Sequence, residues 1–287
     1  THLQRMMHLN REMMAADGIR YFGPGDLRRP GRSLGEMFDL SWNDRRPSTR
    51  TPEAQLRYLT KDGNRLVFSE ENFVGIAVNR HGKMNMPLYP RAAERIEELA
   101  AKWTPIKPHI FLGIRNPAAY MASVYSQALY GHNFIGPRTF RARNDWRKVD
   151  WADYVARLRA TPGVGDITVW RQEDYADNMR MIFRGLLKWK TGGAVQLSKE
   201  KLHTGLSANA VRQTLEWAQQ GREGDIAKEA RRRFPPSGTN PPFALYAPAT
   251  LDQAQQVYDA QLAQIEAMEG VTLIGWPQRD QEVGKEA

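Results

Sequence analysis

The chain has 287 residues, 41% of them hydrophobic, which is enough to bury a core, and no apolar run approaches the roughly 18–20 residues that cross a bilayer. Its 41 Lys and Arg against 32 Asp and Glu give a net charge of +9 and an isoelectric point near 9.8, so the surface favours anionic ligands. There is no cysteine, which excludes disulfides, thiol nucleophiles and thiolate metal sites and suits a reducing cytoplasm; the six histidines show no HxxxH or HExxH spacing, so no metal is expected.

In chain order, "LQRMMHLNREMMAADG" sets Leu3, Met6, Met7, Asn10, Met13 and Met14 near one helical face and stops at Gly18, a residue suited to a left-handed cap. No charged, apolar, small-residue signal sequence is expected at this start, and the chain opens inside a helix. Thr51 and Pro52 begin a helix that Gly63 ends, and "RLVF" (65–68) follows as a buried strand. The same step recurs as a helix over 90–103, a strand over 109–114 and a helix over 117–129. It recurs again as a helix over 151–161, a strand over 166–170 and a helix over 176–189. Helices alternating with short apolar strands predict an α/β fold with a mostly parallel sheet covered on both faces. Beyond residue 190 the signals are mainly helical, at 207–220 and 250–268, around the Pro-rich stretch "RFPPSGTNPPFALYAP". That stretch reads either as a loop closing over a site or as a connector between packing helices. One domain spanning 1–287 is expected.

Arg115 stands where the strand over 109–114 meets a helix. In a parallel α/β sheet, ligands bind beyond the carboxyl ends of the strands, where helix N-termini offer N–H groups to anions. With Asn116 as cap and Pro117 as first residue, Asn116, Ala119 and Ser123 share a stripe, while Met121, Val124 and Ala128 form a separate apolar stripe for the sheet. Arg115 at the mouth and Ser123 further along are placed to grip one phosphate from two sides. The arginines otherwise cluster only at Arg28-Arg29, Arg45-Arg46 and Arg231-Arg232-Arg233, with no RNP1-like box, zinc-finger spacing or GXXG clamp, so nucleic acid is a disfavoured partner.

"IRNPAAYMASVYS" resembles the segment that binds the 3′-phosphate of 3′-phosphoadenosine 5′-phosphosulfate (PAPS) in PAPS-dependent sulfotransferases. "THLQRMMHLNREMMAADGIRYFGPG" is similar to the helix and strand after the phosphosulfate-binding loop of bacterial members. "VWRQEDY" is similar to their strand ending in Glu-Asp-Tyr, and "LSANAVRQTLEW" and "YDAQLAQIEAMEGVTLI" to their C-terminal helices. The resemblance covers nearly the whole chain and is weakest at 130–150 and 221–248. It implies a three-layer P-loop-type fold with a central mostly parallel sheet and a helical C-terminal part over 190–287. It also implies transfer of a sulfuryl group from PAPS to a hydroxyl or amine of a small-molecule or carbohydrate acceptor.

The departure lies at the start. Family members carry a strand and a Lys-Thr-Gly-Thr-Thr loop that hold the 5′-phosphosulfate; this sequence begins at Thr1, similar to the last hydroxyl of that loop, and has no G-x-x-x-x-G-K-[ST] or G-x-G-x-x-G elsewhere. The expectation is that the loop precedes Thr1, and activity of the chain without it is open. For the base, Glu70 and Glu71 follow a strand at the same sheet edge as Arg115, and His203 is the alternative; Glu173 and Asp174 are expected to serve the dipole of the helix over 176–189. Two other readings are another P-loop nucleotide-dependent transferase or kinase, and a non-catalytic basic protein for nucleic acid or acidic glycan.

Overall fold

In a computed structural model of the chain, the described residues are 2–198 and 205–275. Thr1 and His203 lie outside them. The chain runs through α1 (His2–Leu9), α2 (Arg11–Ala16), β1 (Ile19–Phe22), α3 (Pro24–Leu27), α4 (Leu34–Phe38), α5 (Pro52–Thr60) and β2 (Arg65–Phe68). A 3-10 turn, Glu71–Val74, leads on to α6 (Ala92–Trp103), β3 (Ile110–Ile114), α7 (Pro117–Tyr130), α8 (Pro137–Arg143) and α9 (Trp151–Arg159). Then come β4 (Ile167–Arg171), α10 (Tyr175–Leu187), α11 (Trp189–Ala194), α12 (Ala208–Gln219), α13 (Ile226–Arg233), α14 (Pro248–Glu266) and β5 (Val271–Ile274). No helix among the described residues is long and apolar enough to cross a membrane.

Local chemistry sets most of these boundaries. Thr51 caps α5 through the Ala54 N–H, Ser207 caps α12 through the Ala210 N–H, and Gly18 leaves α2 with φ +73°. The first helical run divides at Asn10. Its buried side chain donates to the Met6 and Gln196 carbonyls and accepts from the Gln196 N–H at 2.8 Å, tying the bend to a distant segment.

Every strand pair is parallel, as expected for α/β, but the strands form two sheets, β1-β2 and β3-β4-β5, instead of one. Both belong to one layer. On one face, α6 packs Leu99 and Trp103 with Leu66 and Phe68 of β2, and Ile96 into the cluster holding Ile114, Ile167 and Val169. On the other face, Met6, Met7, Ile182 and Phe183 cover Ile19, Tyr21 and Val67 from the first sheet and Phe111, Trp170 and Ile274 from the second. The layer is interrupted between β2 and β3. Arg65, at the start of β2, lies close enough to lower the pKa of His109, just before β3, although burial is the larger cause. The apolar side chains Leu66–Phe68 and Ile110–Leu112 on these two strands are only half-buried, whereas Ile167, Val169 and Trp170 of the central β4 are buried. The expectation of a buried strand over 65–68 is corrected accordingly, since each of β2 and β3 has one unpaired edge among the described residues.

The C-terminal part is mainly helical, but "VTLI" forms β5 and joins the sheet beside β4, Ile167 opposite Val271. The Pro-rich stretch is a packed connector. The Phe243 N–H donates to Leu206, its ring lies 5.5 Å from Tyr125, and Leu245 is buried.

Candidate functional site

The junction after β3 is built from its cap outward. Asn116 Oδ1 accepts from the Ala118 and Ala119 N–H groups at 3.1 and 3.3 Å, with Pro117 as the first helical residue of α7. Asn116 Nδ2 donates to Gln255 Oε1 on α14, and its backbone N–H donates to Glu173 Oε1 at 2.8 Å. The Arg115 carbonyl accepts from Trp151 Nε1 at 2.6 Å. The backbone here is therefore held by three distant elements. The Arg115 side chain is exposed and has no hydrogen-bond or ion-pair partner among the described residues. Ser123 is half-buried with its hydroxyl likewise unbonded, while Ser126 on the same helix turns back to the Ala122 carbonyl. Met121, Val124 and Ala128 are buried, as the apolar stripe requires.

Two expectations at this junction are corrected. The N–H groups of Asn116, Ala118 and Ala119 are already bonded by side chains, so α7 does not offer them to a ligand. Glu173 serves the start of α7 instead of the helix at Tyr175–Leu187, because β4 ends beside β3 and brings the carboxylate across. Asp174 stays with Arg171, 3.2 Å away.

At the carboxyl end of β2, Glu70 and Glu71 converge on one cation. Arg28 donates through Nε and Nη2 to both oxygens of Glu70, at 2.8 and 2.7 Å, and through Nη2 to Glu71 Oε1 at 2.8 Å. Glu70 also caps the 3-10 turn by accepting the Asn72 N–H, and its side chain is 11% exposed. Glu71 is open, at 58%, and accepts from Gln4 Nε2 on the first turn of α1. Burial pushes the Glu71 carboxyl up, but hydrogen bonds from its own N–H, Gln4 and Arg28 outweigh that and hold it below the usual range. Arg28 is held more firmly protonated than usual, chiefly by its bonds to Glu70.

No bond joins this pair to Arg115 among the described residues, but tyrosines span the distance. The Tyr89 hydroxyl lies 2.9 Å from the Tyr120 hydroxyl on α7; the Tyr120 ring meets Trp151 edge-on at 4.8 Å, and Trp151 bonds the Arg115 carbonyl. Burial raises the Tyr89 pKa, and the charge of Glu71 adds to the rise. The site is thus an edge with a free arginine and a free hydroxyl at one end, an ionised and accessible carboxylate at the other, and phenols between. Sequence reasoning missed Arg28, Gln4, Tyr89 and Tyr120. Only the Arg28-Arg29 pair gave any signal, as a local basic cluster. No family model, curated protein or solved structure matches this chain.

Proposed function

We propose that this chain transfers a sulfuryl group from PAPS to a hydroxyl or amine acceptor. The observation that carries the reading is Arg115, an exposed and unpartnered guanidinium on a rigidly held backbone at a strand's carboxyl end, with the unbonded Ser123 hydroxyl on the following helix. Together they form a grip for the 3′-phosphate, with side chains instead of helix N–H groups supplying the donors. Contacts to the 5′-phosphosulfate are what the resemblance assigns to a loop ahead of Thr1. In the transfer, the acceptor atom bonds to sulfur as the sulfur–oxygen bond to the 5′-phosphate breaks, and the acceptor proton passes to a carboxylate. Glu71 is the better placed base of the two because its side chain is the more exposed, although Arg28 and Gln4 each donate to one of its oxygens.

Calorimetry with 3′-phosphoadenosine 5′-phosphate and AMP tests the reading. The first nucleotide is expected to bind more tightly, and Arg115→Ala to weaken it by about 10- to 100-fold without changing AMP. Equal affinity for the two nucleotides overturns the assignment. Salt-sensitive binding of long polyanions that ignores the nucleotide would instead favour a basic binding protein.

A further inference from the structure

Between the carboxyl end of β1 and the helices α3, α4 and α5 lies a cavity of about 160 Å³ that the nucleotide reading does not use. We propose that it binds a small organic carboxylate, with the oxyanion held by Arg32, Arg50 and the Gln55 amide and a compact apolar body resting on Leu27, Met37 and Leu59.

The floor is built for such a body. Leu27, Met37 and Leu59 are each at most 5% exposed. Gln55 sits among them at 2% exposure, and its one side-chain bond is a long one, 3.4 Å from the Ser48 hydroxyl to Oε1. Its Nε2 has no partner among the described residues. Its N–H donors face the cavity, where water can satisfy them, and a ligand oxygen would take that water's place. Arg32 and Arg50 stand exposed at the rim without a carboxylate partner. Arg50 lies over the Tyr58 ring at 4.2 Å, which orients its guanidinium without using its N–H groups.

The charges facing the cavity decide the sign of the ligand. Asp26 lines it too, but its charge is paired with Arg11, which donates to Oδ2 together with the Gly23 N–H. Two free cations therefore remain over one compensated anion. Size narrows the class. At about 160 Å³ the cavity falls below the ~300 Å³ at which drug-sized sites begin, so a compact ligand suits it best.

The test follows the Gln55 side-chain amide by NMR in the full chain, at constant ionic strength, during titration with acetate, isovalerate, benzoate, the neutral benzamide and inorganic sulfate. Isovalerate or benzoate is expected to shift that resonance saturably, with benzamide and sulfate at least about tenfold weaker. The doubly substituted Arg32→Ala/Arg50→Ala protein, altered only at exposed positions, is expected to lose the response while keeping its spectrum elsewhere. The proposal is overturned if no carboxylate shifts the amide, if sulfate does as well as benzoate, or if the double variant responds like the parent. Arg115 plays no part in any of these outcomes, so they are independent of the nucleotide titration.

Discussion

Tyr89 and Tyr120 set their hydroxyl oxygens 2.9 Å apart, and Tyr89 does so from a left-handed backbone, φ +46°, that a bulky residue seldom adopts. Such a conformation costs on the order of 1–3 kcal/mol, and packing and hydrogen bonding around the ring must offset it. Tyr89→Phe is therefore expected to destabilise the chain by about 1–3 kcal/mol, because the Tyr120 hydroxyl is left without its partner. The double replacement Tyr89→Phe/Tyr120→Phe should cost less than the sum of the single ones. Urea midpoints decide it, and strict additivity would refute the coupling.

Burial pushes Tyr21 up to about 12, and burial, with Tyr89 next to it, pushes Tyr120 well above its ordinary value. In the unfolded chain both ionise near ~10. Above that point the native state holds protons that the unfolded state has released, so stability is complete below about pH 10 and falls as pH rises further. Denaturant stability is expected to drop as pH rises from about 10 towards about 12, and the phenolate absorbance of these groups to appear only with unfolding. Titration of every tyrosine near ~10 in the folded protein would contradict this.

Arg28 is the only cation bonded to both Glu70 and Glu71 among the described residues. Arg28→Gln leaves Glu70 poorly solvated and without its bidentate partner. The expected cost is about 1 kcal/mol near neutral pH, kept small because Arg28 itself is half exposed. The sign of the pH dependence follows from Glu71, whose carboxyl is depressed in the fold. It contributes stability above its unfolded pKa and loses it as pH falls through the folded one. The variant should therefore lose less stability on acidification than the parent, as measured by thermal midpoints from neutral to acid pH.

These residues show which parts of the structure local sequence makes legible. The Asn116-Pro117 cap, the Thr51 cap and the strands at 110–114 and 167–171 were readable because a side chain one to three positions from its backbone partner, or a short apolar run, defines them. Pairings set by the fold were not. Glu173 reaches the Asn116 N–H across 57 positions, and Arg28 reaches Glu70 across 42. Nothing adjacent to either residue names its partner. β5 escaped for the same reason. Four residues are too few to show a period, and it is a strand because β4 offers it an edge. The interruption between β2 and β3 is likewise a property of pairing, invisible in two strands that each look suited to a buried sheet.

The two carboxylates should separate by function. Glu71 is the more exposed of the two and lies within electrostatic reach of Tyr89, although it too accepts from Arg28 and from Gln4, whereas Glu70 takes two bonds from Arg28 and caps the 3-10 turn. Glu71→Gln keeps size and removes basicity, so turnover from PAPS to a hydroxyl acceptor on which the parent chain works should fall by about 100-fold or more. Its affinity for 3′-phosphoadenosine 5′-phosphate should not change, since Arg115 and Ser123 are untouched. Glu70→Gln should instead lower stability by about 1 kcal/mol and leave turnover within a few-fold. The reverse pattern would move the base to Glu70 and make the Arg28 pair a gate on its proton. Full turnover in both variants would remove the strand end from the chemistry and direct attention to His203, which lies outside the described residues.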